Sequence, residues 1–388
     1  MKSQNESFVF RATATGFGAI GIVVVAGVDS FRCAAPLFVP KSKNARLKTE
    51  GRIFYGHIVE DGEIIDEALW LWYSHHPRWG VEAVELNSHG GVAVIERIIE
   101  ALIRRGAKRV SFYDFLEIAV TEGWINRIRA EAEKAVSNCD SLAGLKTISS
   151  ALNGELENEI KRVVLLIEEK EFEKAREKLR SLVSSVNVAL ASVMLPSFLI
   201  LGAPNSGKST LFNRLVGSER VITSPIPGTT VDVIEGAFSI GEYILRVYDA
   251  AGVEDGKRPG EEFAFKFAKE ADFILFLVDG STILTENQKR IISRLDLKRT
   301  LIIINKTDLP LKVSGVKSDI MISALTGNGV ERLKEKMLAM ATKNEKLRLP
   351  SVFTRRQARY AEDGLSALML YDAKRAKEAM VELIYGKE

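Results

Sequence analysis

The 388-residue sequence predicts a multidomain chain of mixed class, α/β and α+β, on three observations. Residues 1 to about 118 alternate short β-rich runs with one clear helix. From about 119 to 196 apolar residues recur at three- and four-residue spacing with dense charge between them, and no proline interrupts before Pro196. Beyond Pro196, apolar runs alternate with helical patterns, and from about 345 the chain is helical and basic again. The expected organisation is an α+β domain at 1–118 and a helical domain in two parts, 119–196 and 345–388. An α/β domain at 197–344 is inserted between those parts.

In the first domain the strands are "FVFRATAT", "IGIVVVAG", "RIFYGHIV", "EALWLWYS" and "VEAVEL", rich in β-branched and aromatic residues. Its helix, "VAVIERIIEALIRRGA", begins just after Gly90 and Gly91. The stretch "ELENEIKRVVLLIEEKEFEKAREKLRSLVSSV" reads as amphipathic helices packed on one another, its charge runs as solvated faces. "SFLILG", "LRVYDAAG", "DFILFLVDG", "TLIIINKTD" and "DIMISA" are near-continuous apolar strands. Strands buried on both faces and separated by helices predict a mostly parallel, doubly wound sheet.

Composition narrows the class. Hydrophobic residues make up 46% and charged residues 27%, which suits globular domains, and a net charge of +3 permits a nucleic-acid partner without requiring one. Cys33 and Cys139 are too few for a zinc site or a disulfide framework and read as free thiols. The opening "MKSQNESFVF" lacks the charged flank and apolar core of a signal peptide. The longest apolar runs fall below the roughly 18 residues of a membrane span. A soluble, cytoplasmic protein with no membrane partner is expected.

The chemistry lies in the α/β domain. "GAPNSGKS" at 202–209 fits the phosphate-binding loop pattern, with a strand before it and a helix after. Backbone N–H groups from Asn205 through Ser206, Gly207, Lys208, Ser209 and Thr210 would wrap the phosphates. Lys208 would reach the terminal ones, and the Ser209 hydroxyl would bind Mg²⁺. "NKTD" at 305–308 supplies Asn305, Lys306 and Asp308; the Asp308 carboxylate can accept from both N1–H and the N2 amine of guanine, which adenine does not offer. "ISALTG" at 322–327 brings Ser323 and Ala324 to steady the base.

Two further segments are placed to sense a γ-phosphate. "DAAG" at 249–252 gives Asp249 to a Mg²⁺-bound water and the Gly252 N–H to the phosphate. "PIPGTTVD" at 225–232 gives a threonine, Thr229 or Thr230, to close over Mg²⁺, with Thr230 taken as the ligand. Val253 follows Gly252 where many small GTPases place a water-orienting glutamine, so hydrolysis must use another group among Glu254, Asp255, Glu261 and Glu262. "GFGAIG" at 16–21 matches a dinucleotide fingerprint by letter but runs into a β-run with no acid about 20 residues on, and reads as a turn between strands. His89 in "NSHGG" either faces a ligand anion or caps the helix that follows.

Together "GFGAIGIVVVAG", "VELNSHGG", "GAPNSGKSTLFNRL", "PIPGTTVDV", "DAAG", "NKTD", "ISALTG" and "TRRQ" at 354–357 resemble the MnmE (TrmE) family of tRNA-modification GTPases over nearly the whole chain. The resemblance implies an N-terminal folate-binding-type domain and a helical domain interrupted by a Ras-like P-loop G domain. It also implies a homodimer through the N-terminal domain, with tRNA and a flavoprotein as partners. In that family the G domains pair in the presence of K⁺, which the resemblance assigns to Asn205 and to Ser224, Ile226 and Thr229. Such a cation neutralises charge developing between phosphates, as an arginine finger does elsewhere. The water-orienting glutamate falls at Glu261, with Glu262 next in line.

The modification end departs from the family. Val24 stands where the family has an arginine, and Trp124, in "EGWINR", where a lysine serves the folate site; Glu85 is retained. Family members end in Cys-x-Gly-Lys, whereas this sequence ends "VELIYGKE" and neither way of aligning it places a cysteine there. The expected function is K⁺- and Mg²⁺-dependent GTP binding and hydrolysis with the family's role in tRNA wobble-uridine modification. The alternative is a regulatory or assembly GTPase that has lost the modification chemistry, and a third reading is a nucleotide-binding scaffold without useful hydrolysis. Reduced folate is expected to bind weakly or not at all.

Overall fold

The computed structural model describes residues 6–16, 18–217, 234–249 and 271–386. It forms two compact units, Met1–Lys134 with Ile384–Lys387, and Ala135–Leu383.

The first unit contains β1 (Ser7–Arg11), β2 (Ile20–Gly27), α1 (Ser30–Ala34), β3 (Phe38–Pro40), β4 (Phe54–Glu60), β5 (Glu63–Tyr73), β6 (Ala83–His89), α2 (Val92–Arg104), β7 (Lys108–Arg109), α3 (Phe112–Thr121) and the start of α4 (Arg127–Val136). Its seven strands form one sheet in the order β3-β4-β5-β6-β2-β1-β7, antiparallel except for the β1–β7 pair. β2 is apolar without a break because it faces two cores. Val23 and Val25 pack with Ile95, Ile98, Ile99 and Leu102 of α2, while Val24 and Ala26 pack with Phe115, Leu116 and Ala119 of α3. α3 is held at its start by Ser111, whose hydroxyl accepts the Asp114 N–H at 3.0 Å.

In "GFGAIG" close packing involves Gly21 and the Gly18 carbonyl. A Cβ on Gly90 would lie 2.1 Å from the Gly18 carbonyl oxygen, and one on Gly21 would lie 2.2 Å from Ile95 Cδ1. Backbone therefore meets backbone where the turn before β2 meets the start of α2. Away from α3 the same sheet face is open, with Val39, Tyr55 and Leu69 exposed at 52%, 40% and 40%.

The second unit starts with α5 (Leu142–Leu152), α6 (Glu155–Glu168), α7 (Phe172–Val183) and α8 (Val186–Met194). There follow β8 (Ser197–Gly202), α9 (Lys208–Val216), β9 (Ile234–Ile240), β10 (Tyr243–Asp249), β11 (Phe273–Asp279), α10 (Glu286–Arg294), β12 (Thr300–Asn305), β13 (Ile320–Met321) and α11 (Val330–Thr342). The chain closes with α12 (Arg355–Met369) and α13 (Ala373–Tyr385). α12 returns to α7, where Arg176 Nε donates to the Leu368 carbonyl at 3.2 Å.

The strand order β13-β12-β11-β8-β10-β9 is parallel apart from the β9–β10 hairpin. Phe198, Ile200, Leu275, Leu277 and Ile303 turn toward Leu211 and Leu215 of α9 and Leu333 and Met337 of α11. Leu199, Phe276, Val278 and Ile302 turn the other way, beside Ile291 and Ile292 of α10. This is the doubly wound sheet expected from the apolar runs. "DIMISA" gives a shorter strand than expected, because the chain turns after Ile322 and the Ser323 N–H bonds to the Asn328 carbonyl at 2.9 Å. Cys33 and Cys139 are free thiols, and burial pushes both up from the ordinary thiol range. Among the described residues no helix is long and apolar enough to cross a membrane.

Candidate nucleotide-binding site

Parallel strands bring their carboxyl ends to one edge, where open α/β sheets bind ligands. Here that edge carries Gly202 at the end of β8, Asp249 at the end of β10, Asp279 at the end of β11 and Asn305 at the end of β12. The chain leaves β8 through residues 203–207 and enters α9 at Lys208. Two glycines make this turn fit. A Cβ on Gly202 would lie 2.6 Å from the Leu277 carbonyl oxygen. Gly207 has φ +95, and its Cβ would lie 2.3 Å from Asn305 Nδ2.

The loop is arranged to receive anions. Ser209 and Thr210, in the first turn of α9, are exposed and their N–H groups lie among those a helix start leaves unpaired. Lys208 is 7% exposed and its ammonium donates to the carbonyls of Gly202 and Ala203, each at 3.1 Å. The Ser206 hydroxyl is buried without a hydrogen-bond partner among the described residues. Asn205 is exposed in the left-handed region, φ 63.

The base-recognition motifs are fastened to this loop by Asn305, which is 2% exposed. Its Nδ2 donates to the Ser206 carbonyl at 2.8 Å, and its Oδ1 accepts the Ala324 N–H at 2.9 Å. Arg214 of α9 adds a second tie, donating from Nε to the Ala324 carbonyl at 3.2 Å and from its terminal nitrogen to the Leu325 carbonyl. Ser323 is 1% exposed, and its hydroxyl accepts the Thr326 N–H at 3.1 Å, holding the turn of "SALTG". Asp308 is exposed and has no ion pair among the described residues, so its carboxylate is open to a ligand. Lys306, with φ 64, pairs with Asp279 at 2.6 Å. Burial pushes the Asp279 carboxyl up, but Lys306 and the hydroxyl and N–H of Ser281 outweigh it and hold the group below the usual carboxylate range.

Asp249 is 1% exposed and stands level with Ile200 of β8. Ser224, Ile226, Thr229, Thr230, Gly252, Glu261 and Glu262 lie outside the described residues. Sequence reasoning missed Asp279 and Arg214. "LVDG" at a strand end was a signal for the first; Arg214 carried none, being one more basic residue on a helix.

At the two positions where the family carries cations, the first unit has apolar side chains packed in a core. Val24 is 1% exposed within the α3-side core, and Trp124 packs between Phe8 and Phe115 at 6.4 and 6.2 Å. Glu85, directly opposite Val24, accepts from His76 Nε2 at 2.9 Å. His76 is 3% exposed, accepts the Arg78 N–H on Nδ1 at 3.1 Å and stacks on Trp79 at 5.3 Å. The retained acid thus bonds to His76, and Val24 and Trp124 belong to an aromatic core where the family has its cations. His89 does not cap α2: its Nδ1 bonds Asp66 at 2.9 Å, and that carboxylate raises the imidazole above its ordinary value.

The Asn305 bridge gives a direct expectation. Asn305→Ala leaves the Ser206 carbonyl and the Ala324 N–H without their partner at about 1–3 kcal/mol each. Chemical denaturation is expected to show the second unit destabilised by roughly 2–6 kcal/mol, with GTP affinity falling in parallel. Unchanged stability and affinity would show that the two loops hold each other without it.

Comparison with known proteins matches residues 9–123 to the family described as GTP-binding protein TrmE N-terminus, and residues 197–306 to the family described as 50S ribosome-binding GTPase. Three proteins named tRNA modification GTPase MnmE align along most of the chain. That of Fervidobacterium nodosum is 31% identical over 395 residues, covering 92% of this chain and 85% of its own length. That of Thermus thermophilus is 32% identical over 365 residues, covering 86% and 82%. That of Pseudothermotoga lettingae is 29% identical over 371 residues, covering 86% and 82%. With the phosphate loop and the guanine motif fastened together at one sheet edge, and both halves of the chain matched at this level, the chain belongs to the MnmE family of GTPases, proteins that bind and hydrolyse GTP.

Proposed function

We propose that GTP lies along the carboxyl edge of the second sheet, its phosphates on residues 205–210 and its guanine against Asp308, Lys306, Ser323 and Ala324. The observation that carries this reading is the Asn305 carboxamide, which sets the phosphate loop and the base loops at a fixed separation. Asp308 selects guanine by accepting from its N1–H and N2 amine, and Lys306 flanks the base while Asp279 holds the lysine ammonium aside. The oxygens of Ser209 and Asp249 suit Mg²⁺, together with Thr230. K⁺ belongs with Asn205, Ser224, Ile226 and Thr229. These cations supply positive charge against the phosphates. Gly252 offers its N–H to the γ-phosphate and Glu261, with Glu262 beside it, orients the water.

The role that follows is the one the relatives are named for, modification of tRNA, at a wobble uridine and with a flavoprotein partner in the cytoplasm. The chain works as a homodimer through its N-terminal domain. Its domains run 1–118, 119–196, 197–344 and 345–388, with the G domain inserted in the helical one. A second reading, a regulatory or assembly GTPase without the modification chemistry, is favoured by the burial of Val24 in the aromatic core and the packing of Trp124 against it.

Asp308→Asn is expected to shift preference from guanine toward xanthine nucleotides, lowering GTP affinity by about 5- to 150-fold, since a paired base contact is worth roughly 1–3 kcal/mol. Fluorescence titration with both nucleotides checks this, and an unchanged GTP affinity removes Asp308 from the base site. GTP turnover is expected to rise well above its Na⁺ level when K⁺ replaces Na⁺, and Asn205→Ala to abolish most of that gain. Equal steady-state rates in the two salts end the K⁺ proposal. Calorimetry separates the two functional readings. Loss of each charged partner weakens anion binding by about 30-fold or more, so reduced folate is expected not to bind at micromolar concentration while GTP does. Micromolar folate binding would return the chain to the full modification reading.

A further inference from the structure

The loop between β3 and β4 places Lys41, Lys43, Arg46, Lys48 and Arg52 within residues 41–52, against one acid, Glu50. All five cations are exposed. Other arginines of the same unit are paired: Arg78 with Glu133, Arg97 with Glu63, Arg104 with Glu60 and Arg109 with Glu96. The five loop cations pair with no carboxylate among the described residues, and Glu50 instead accepts the Ser74 N–H at 2.9 Å. Like charges gathered without counterions repel, so this surface is stabilised by an anion brought from outside.

The loop is fixed in a shape that presents them. Ala45 and Leu47 pack against the sheet core with Arg46 exposed between them, while Lys48, also exposed, lays its ammonium 5.4 and 5.5 Å over the rings of Phe31 and Trp72. Trp70 Nε1 donates to the Leu47 carbonyl at 3.1 Å, and the N–H groups of Lys41 and Gly51 bond to the carbonyls of Tyr55 and Trp72 at 3.0 and 2.9 Å. Lys41, Arg46 and Arg52, with Ser42 and Asn44, line a cavity of about 650 Å³ whose wall includes Tyr55. The Tyr55 ring is 40% exposed, with the Lys41 ammonium 5.3 Å from its centroid. Several fixed cations, neutral hydrogen-bonding side chains among them and an exposed ring form the combination that holds a nucleic-acid strand, by phosphate neutralisation and base stacking.

We propose that residues 41–52 and Tyr55 form a docking surface for the phosphodiester backbone of RNA, with Tyr55 stacking on an unpaired base. The proposal rests on tRNA being the chain's macromolecular substrate and adds the place where it docks. Polyphosphate chemistry is shared by RNA and by free small anions, and the test separates them. The full chain is titrated against an end-labelled tRNA transcript by fluorescence anisotropy from 50 to 200 mM salt. Beside it are run the triple variant Lys43→Gln, Arg46→Gln, Arg52→Gln and a control, Arg97→Gln with Arg109→Gln, which removes paired cations.

At about 0.7 counterions released per phosphate contact, the triple variant is expected to lower the slope of log K against log salt by about 2. Its affinity at low salt should fall tenfold or more, while GTP turnover and the control's slope stay unchanged. If the parent binds tRNA and the triple variant matches it in slope and affinity, the surface is wrong and the tRNA reading stands. If the parent binds no tRNA at any salt, both fall. If inorganic tripolyphosphate alone binds the parent as tightly as tRNA does and the triple variant not at all, the loop is a small-anion site and the RNA assignment is overturned.

Discussion

The carboxamide of Asn305 is the interaction on which the nucleotide edge of the second unit depends. It is buried, so its donor and its acceptor must both be satisfied by protein, and each is satisfied by a different loop. One bond reaches the phosphate loop and the other the turn that follows β13. A planar group with fixed geometry therefore sets the spacing between a place for phosphates and a place for a base. Gly207 belongs to the same constraint, because any side chain there would occupy the position of Asn305 Nδ2. Arg214 acts in parallel from α9, gripping two successive carbonyls of the turn after β13. Asp279 then orients the Lys306 ammonium by pairing with it, with Ser281 fixing the carboxylate from its other side.

The first unit is organised by a different economy of contacts. Its sheet is covered by α2 on one face and by α3 on part of the other, and the α3 side is dominated by rings. Phe10 stacks on Phe115 at 4.5 Å and meets Trp79 edge-on at 5.9 Å, while Trp79 in turn stacks on His76. Glu85 is drawn into this group through His76. Charged groups elsewhere on the unit are mostly neutralised in pairs, which is what makes the unpaired run between β3 and β4 stand apart.

Much of this was legible in the sequence where function needs residues at short spacing. The phosphate loop, the guanine motif and the apolar strands could be read because each is a local pattern tied to a local geometry. The cross-ties could not. Asn305 and Ser206 are 99 residues apart, and Arg214 and Ala324 are 110 apart, so only the fold brings them together. "NKTD" suggested that Asn305 contacts nucleotide, whereas its two described bonds join loops. Val24 and Trp124 could be seen to differ from the family's cations, but not that neighbouring rings would close around them. His89 was open between two roles, and the deciding partner, Asp66, lies on another strand, paired only by the sheet.

β2 carries a consequence of a different kind. Its successive residues serve separate cores, Val23 and Val25 on the α2 side, Val24 and Ala26 on the α3 side. A change of chemistry at Val24 is therefore insulated by the plane of the sheet from the packing that holds α2. Along one eight-residue strand, what a lineage keeps of its architecture and what it keeps of a ligand pocket can be inherited independently. Descent of the fold and loss of a binding surface are then compatible within a single domain.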